Sequence, residues 1–549
     1  MKRDVRGVQF CAAMLVMVNS VLGAQFYNDW ATNHFSDLPA QSGWSNNPDG
    51  DGEINLVEFA FGTDPRAAGG ITGAITPQFG SKTGTNGTFT VEILERAGHQ
   101  PGAQIDLYLS KDMTSWFRTW WLRVTTNSLP GDPVGSVRES FTTRLPGTNI
   151  WFVRSSVQLV ETGVESAKYF IATNGSDSNP GTNIAAPFKT LAKAAGLANP
   201  GNLIYVRGGT HNWTAQVSLS RSGSPTQPIR VRAYPGEKPI FDFTGEPSSS
   251  AGIQVSGHWW QLYGLEIANA GHNGIKITGS SNIVERCVVH ESGDTGIHIT
   301  VGASNLILNC DSYRNYDPPV GGNADGFSAK FELGTNNVFR GCRSWENSDD
   351  GWDLWEATNT VVIENCMTWS NGFNFFDGPT NTSFNGNGNG FKLGGNFYFG
   401  PHRISGCVSF GNKANGYDQN NNNAGLTVDN NTAWNNGSKN FNLNHGTNIT
   451  PHVVRNNLSI AGGSSDSFRA GSLLTNNSWQ IISPSPTTND VLSALVSLAK
   501  SERRDDGGLP ETPFLRPVPG GRLVNKGTNN GNPFSGSAPD LGAFETPAW

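Results

Sequence analysis

From about residue 168 onward, very short apolar runs alternate with polar turns, and the runs keep register with one another. Aligned on cysteine, the segments ERCVVHES, LNCDSYRN, RGCRSWEN, ENCMTWSN and SGCVSFGN supply Cys287, Cys310, Cys342, Cys366 and Cys407, and Asn431 takes the same slot in DNNTAWNN. Three positions later stands a ring in every case: His290, Tyr313, Trp345, Trp369, Phe410 and Trp434. Five positions later stand Ser292, Asn315, Asn347, Asn371, Asn412 and Asn436. Columns of like residues are expected where successive turns of a solenoid stack. The cysteines then fill the core, the rings pile on rings, and the asparagines form a hydrogen-bonded ladder at a bend.

A fourth column fixes the phase of the turn. Gly274, Gly296, Gly326, Gly351, Gly390 and Gly416 each precede an apolar residue. The glycine follows the cysteine by nine from 287 to 296, 342 to 351 and 407 to 416, but by sixteen from 310 to 326 and by twenty-four from 366 to 390. Two coils therefore carry insertions, of seven and fifteen residues, at one point of the turn. Coils of about 22 to 26 residues, β-branched and aromatic instead of leucine-rich, predict a right-handed parallel β-helix over a leucine-rich horseshoe. Insertions stacked on one side are where such an array carries its binding loops.

The rest of the chain reads as separate modules. Residues 1–24 combine a basic start, a short apolar run and small residues at Gly23 and Ala24, the pattern of an export signal. Within 25–70, NNPDGDGEINLVEFAFGTDP has the spacing of an EF-hand loop. Asn47, Asp49, Asp51, Glu53, Asn55 and Glu58 supply the oxygens and Gly52 the sharp turn, which predicts a structural calcium clip. Residues 71–166 alternate in short runs such as TFTVEILE and QIDLYLS, the signature of a small β-sandwich. The helix spans 167–485, and a segment over 486–549, containing VLSALVSLAK, is expected to pack back on it. With 549 residues, 15% charged, 67 glycines and a net charge of −7 without a basic stripe, the composition suits a turn-rich β protein and gives nucleic acid nothing to bind. No apolar run beyond the signal reaches the length of a membrane span, and once Cys11 leaves with the signal the remaining five cysteines, an odd number with no close pairs, do not suit a disulfide framework. The expectation is an exported monomer.

The chemistry lies where one rung departs from the columns. WENSDDGWDLW carries Asp349, Asp350 and Asp353 between tryptophans, and like charges this close call for a cation. Asp325 precedes the column glycine one coil earlier and should stack on Asp350, about 4.8 Å away. Four carboxylates together suit a hard, oxygen-loving ion, Ca²⁺ in an exported protein. Lys392 holds, one coil later, the slot of Asp353. A lysine beside such an ion has its ammonium form disfavoured and can serve as a general base, which suits abstraction of a proton alpha to a carboxylate.

The segments NADGFSAK, ENSDDGWDLW and GNGFKLGG, in this order and register, resemble the family 9 polysaccharide lyases, calcium-dependent pectate lyases built on a right-handed parallel β-helix. The likeness runs from about 168 to 545 and takes in the opening YFIATNGSDSNPGTNIAAPFKTLAKA and the closing APDLGAFE. It implies that Asp325, Asp349, Asp350 and Asp353 hold the catalytic calcium and that Lys392 is the base. It also implies cleavage of polygalacturonate by β-elimination to 4,5-unsaturated oligogalacturonides. Lys330 and water are the candidate leaving-group acids, and Lys330 is equally a candidate uronate contact; Phe373, Phe375 and Phe376 are candidates for stacking on sugars or for capping their loop. Two other readings are weighed against this one. An inverting glycoside hydrolase would use two of the aspartates across a water and need neither calcium nor Lys392, and a non-catalytic polysaccharide-binding or adhesion protein would bind without depolymerising.

Overall fold

Strands of two to five residues separated by tight polar turns cannot make a sheet with their sequence neighbours; they pair instead with the strand one coil away. The computed structural model describes residues 165–546, apart from 377–380, 446–449, 505–506, 533 and 535, and before them the backbone of strands between Leu15 and Leu159. The chain divides into two units, one of Met1–Glu165, Leu495–Phe514 and Thr546–Trp549, the other of Ser166–Ala494 and Leu515–Glu545. In the second unit each full coil contributes one strand to each of three parallel sheets, and the first sheet gains one further strand at either end. The first has twelve strands, from Tyr169–Ile171 to Leu473–Thr475. The second has ten, from Gly209–Asn212 to Leu458–Ile460, and the third ten, from Val217–Leu219 to Ser467–Phe468. This is a parallel β-helix.

Its columns are the ones legible in the sequence. The five cysteines are free and buried at the corner between the first and second sheets. Cys342 N donates to Cys366 Sγ at 3.4 Å, Cys366 N to Cys407 Sγ at 3.3 Å, and Cys407 N to Asn431 Oδ1 at 2.9 Å, so the amide extends the sulfur column. The rings stack with centroids 4.9 Å apart from His290 to Tyr313, 4.5 Å to Trp345, 4.9 Å to Trp369, 5.4 Å to Phe410 and 6.0 Å to Trp434. In the asparagine ladder Nδ2 donates to the next Oδ1 at 2.8–2.9 Å from Asn315 through Asn347, Asn371 and Asn412 to Asn436. Each buried side-chain amide thus satisfies its neighbour, which removes the cost of burying it.

The column glycines have no unusual φ; they are needed for space. A Cβ on Gly351 would lie 2.0 Å from Thr368 Oγ1 and 2.6 Å from Gly390 O, and one on Gly326 2.1 Å from Ser344 Oγ. The apolar residues after these glycines form a second ring stack, inside the core: Phe327, Trp352, Phe391, Tyr417 and Phe441, with centroids 4.6–5.1 Å apart.

Helix Leu191–Leu197, N-capped by Thr190 Oγ1, buries Leu191, Ala194 and Ala195 against the first strands of the first and third sheets. At the other end, residues 515–545 return to the coils: Asn456 exchanges two 2.8 Å bonds with the Thr528 backbone, and Ala543 N donates to Thr432 Oγ1 at 2.9 Å. VLSALVSLAK forms only a 3-10 turn at Val496–Lys500, because Leu495 at its start has no side-chain oxygen to cap a longer helix. In the first unit the described strands form two sheets. Ile75–Thr83, Asn86–Arg96, Leu122–Thr126 and Ser136–Pro146 are antiparallel in one; Ala103–Ser110, Phe117–Arg118 and Phe152–Leu159 are antiparallel in the other, where Leu15–Val16 adds in parallel. The calcium loop expected at Asn47, Asp49, Asp51, Glu53, Asn55 and Glu58 lies outside the described residues, as does the expected export signal over 1–24 except for Leu15–Val16.

Candidate active site

The outer face of the third sheet is polar, because alternate residues of its strands point away from the ring stack. Asp353 pairs in register with Ser328 on one side and Lys392 on the other, as Trp352 pairs with Phe327 and Phe391. Asp325 and Asp350 occupy the turn just before this sheet. Their carboxylates are rungs of a short ladder in which each accepts from the backbone of the next coil: Asp350 N donates to Asp325 Oδ1 at 3.2 Å, and Asn389 N to Asp350 Oδ1 at 2.6 Å. Thr295 Oγ1 donates to Asp325 Oδ2 at 3.1 Å, Asn389 Nδ2 to Asp350 Oδ1 at 3.0 Å, and Asn387 N to Asp349 Oδ1 at 2.5 Å. Asp353 Oδ1 accepts from Trp355 N at 2.9 Å. Each aspartate is therefore oriented by a bond from outside the cluster.

All four are buried, and each offers an oxygen such that the four atoms lie within 4.8 Å of one another. Oxygens about 2.3–2.6 Å from a shared ion stand at most about 5 Å apart, so the cluster has the size and the all-oxygen chemistry of a calcium site. Asp350 Oδ2 is fully buried and pairs with the Lys392 ammonium nitrogen at 3.2 Å. An ion held there would use Asp325, Asp349, Asp350 and Asp353.

Two lysines stand among these acids. Lys392 Nζ is 3.1 Å from Asp353 Oδ2 and 3.2 Å from Asp350 Oδ2, and lies 5.3 Å from the centre of the Trp355 ring. Lys330, directly after strand Phe327–Ala329, reaches Asp325 Oδ2 and Asp353 Oδ2, both at 2.8 Å. Burial, then the neighbouring Asp353 and Asp350 charges, raise the Asp325 carboxyl to about 8 against the pull of Lys330. Burial first, and then acid neighbours, also push Asp349 well above the ordinary range and raise Asp350. Burial works the same way on Asp353, but Lys330 and Lys392 outweigh it and its pKa is lowered. For Lys392 burial is the largest influence and favours the neutral amine; Asp353, Asp350, Asp349 and Asp325 together override it and hold the ammonium above its usual range. Two ammonium groups against four carboxylates leave a charge deficit that a divalent ion would close.

The insertions pack on each other beside this site. Phe376 stacks on Tyr316 at 4.5 Å, Asn381 Nδ2 donates to Tyr316 Oη at 3.2 Å and to Pro319 O at 2.7 Å, and Asn385 N donates to Val320 O at 2.7 Å. Phe376 thus caps its loop, whereas Phe373 and Phe375 are 41% and 45% exposed. Sequence reasoning brought the four aspartates and Lys392 together but did not find Thr295, Asn387 and Asn389, which aim the carboxylates. Thr295 and Asn389 hold the same pre-glycine slot as Asp325 and Asp350, so the column itself was the available signal.

Residues 169–457 match the family model described as the Pel9A-like, right-handed β-helix region. The chain is 42% identical to pectate lyase L of Dickeya chrysanthemi over 393 residues, covering 69% of this chain and 90% of that protein. It is 33% identical to pectate lyase PEL9 of Emericella nidulans over 393 residues, covering 65% and 94%. Among solved structures, that of pectate lyase Pel9A superposes with a TM-score of 0.63 at 41% identity, covering 69% of this chain and 96% of that one. A rhamnogalacturonan lyase superposes with a TM-score of 0.58 at 28% identity, covering 64% and 96%. Three parallel sheets, the in-register carboxylates and these matches over most of each relative's length place the chain in the Pel9A-like right-handed β-helix family, a family of polysaccharide lyases.

Proposed function

We propose that the protein is an exported pectate lyase that cleaves polygalacturonate by calcium-assisted β-elimination. The observation that carries this reading is the set of four buried carboxylates converging to within 4.8 Å, one strand from an in-register lysine. Calcium bound by Asp325, Asp349, Asp350 and Asp353 would hold a substrate carboxylate and draw charge from it, acidifying the adjacent C5 proton. Were the carboxylate charge shared in that way, burial, which favours the neutral amine, would become the dominant influence on Lys392. Lys392 Nζ takes the C5 proton; the C4–O glycosidic bond breaks with its electron pair going to oxygen, which takes a proton from water, and a C4–C5 double bond forms in the product. Lys330 is held by Asp325 and Asp353, which argues for a role in fixing those two acids and against its giving up a proton to the leaving oxygen. The Asn47–Glu58 loop is assigned a separate structural calcium, and Phe373 and Phe375 sugar contacts.

The test follows the absorbance of unsaturated uronides released from polygalacturonate, with and without EDTA, by wild type and Lys392→Ala. Product forming in EDTA, or at the wild-type rate in the variant, would sink the proposal. A parallel arm with rhamnogalacturonan separates the two substrates named for the structural neighbours. Export is tested by sequencing the N-terminus of protein from the culture medium, with Gln25 as the expected first residue.

A further inference from the structure

One residue per coil occupies the Asp353 slot on the outer face of the third sheet: Lys276, His298, Ser328, Asp353, Lys392 and Asp418, in that spatial order. The two directions away from the aspartates differ in charge. Towards the C-terminal coils the next residue after Lys392 is an acid. Asp418 accepts from Asn420 N and Asn415 Nδ2, both at 2.9 Å, and has His445 Nε2 3.4 Å away. Towards the N-terminal coils the column is neutral and then basic. Ser328 Oγ lies 2.6 Å from His298 Nδ1, and beyond it Lys276 is partly exposed and has no ion pair among the described residues. In this column Lys392, and beside it Lys330, are ion-paired with the aspartates, so Lys276 is the first cation in this column whose charge is open to a ligand.

We propose that Lys276 binds a carboxylate of the polyuronate chain, so that the polymer runs from the aspartate cluster over His298 towards the N-terminal coils and not over Asp418. Lys276 lies three strand spacings from Asp353, a span of about 14 Å. That is longer than two linked sugar rings, so its partner belongs to a sugar beyond the pair being cleaved. On the other side Asp418 stands two strand spacings from Asp353, as His298 does on this one, and repels a uronate there. The proposal rests on the polyuronate reading above and adds the direction and extent of the track.

Two measurements test it. In kinetics, Lys276→Ala is expected to raise KM for long polygalacturonate by about fivefold, the size of one partly exposed ion pair, with a smaller penalty on the shortest oligogalacturonate that is cleaved. In native gels with and without polygalacturonate, the polymer is expected to retard Lys392→Ala more than the double variant with Lys276→Ala; Lys276→Gln guards against a folding loss. An unchanged KM on the polymer, or an equal penalty at every chain length, overturns the track. If wild type releases no unsaturated product while Lys276→Ala still weakens retardation, elimination falls and the track stands. Absence of retardation in every protein overturns the track.

Discussion

The two faces of the third sheet are built from the same strands and obey opposite rules. Inward, Phe327, Trp352, Phe391 and Tyr417 repeat ring on ring at 4.6–5.1 Å. Outward, the neighbours of those rings are Ser328, Asp353, Lys392 and Asp418, with no residue type on two adjacent strands. Repetition is what a solenoid needs to pass stability from coil to coil. A catalytic site needs one of each group at a set distance, and a sheet whose strands alternate in and out supplies both from one short run. Strands of two residues, Trp352–Asp353 and Phe391–Lys392, carry one duty per residue.

Substituting along one strand at a time separates those duties. The largest effect is expected from Lys392→Ala. Loss of a general base costs about 10²–10⁴-fold in turnover, while the far-ultraviolet circular dichroism stays that of the wild type because the ring stack is untouched. Trp352→Ala, one strand away and facing inward, should cost about 3–5 kcal/mol of stability. Trp352 is fully buried between Phe327 and Phe391, and hydrogen exchange in all three coils should accelerate. Were Trp352→Ala to lose activity without loss of protection, the division between the faces would be wrong. Lys330→Met falls between these cases. It removes the partner of Asp325 and Asp353 and should destabilise by up to about 3–5 kcal/mol in EDTA, with calcium restoring more of the melting temperature than it gives the wild type. A calcium-induced shift no larger than that of the wild type would mean that Lys330 does not balance the same charges as the ion.

This division also explains what could be read from the sequence. Columns of like residues were legible because each coil repeats them: the cysteines, His290 to Trp434, and Asn315 to Asn436 gave the coil, and the glycines gave its phase. Once the phase was known, Asp325, Asp350, Asp353 and Lys392 could be put in neighbouring slots, and the register agrees. Lys330 was harder. It belongs to no repeated column, and only the reach of its side chain takes it from the strand end to two carboxylates. The core ring stack was hidden because its slot holds Ile297 one coil before Phe327, so the column reads as merely apolar. Helix Leu191–Leu197 was not predicted at all, since seven residues ending a solenoid show no period of their own.

The insertions are the remaining contrast, since their aromatics are divided as the third sheet is. Phe376 is committed to Tyr316, and Phe373 and Phe375 are exposed within 6.0 Å of each other. Phe373→Ala should therefore change stability by less than about 0.5 kcal/mol, since its ring is exposed and its ring partner, Phe375, is exposed as well. If Phe373 meets sugar, its loss should raise KM on the polymer several-fold, since stacking of a ring against an apolar sugar face is worth about 1 kcal/mol. A melting temperature lowered by several degrees with KM unchanged would instead assign Phe373, like Phe376, to holding the loop.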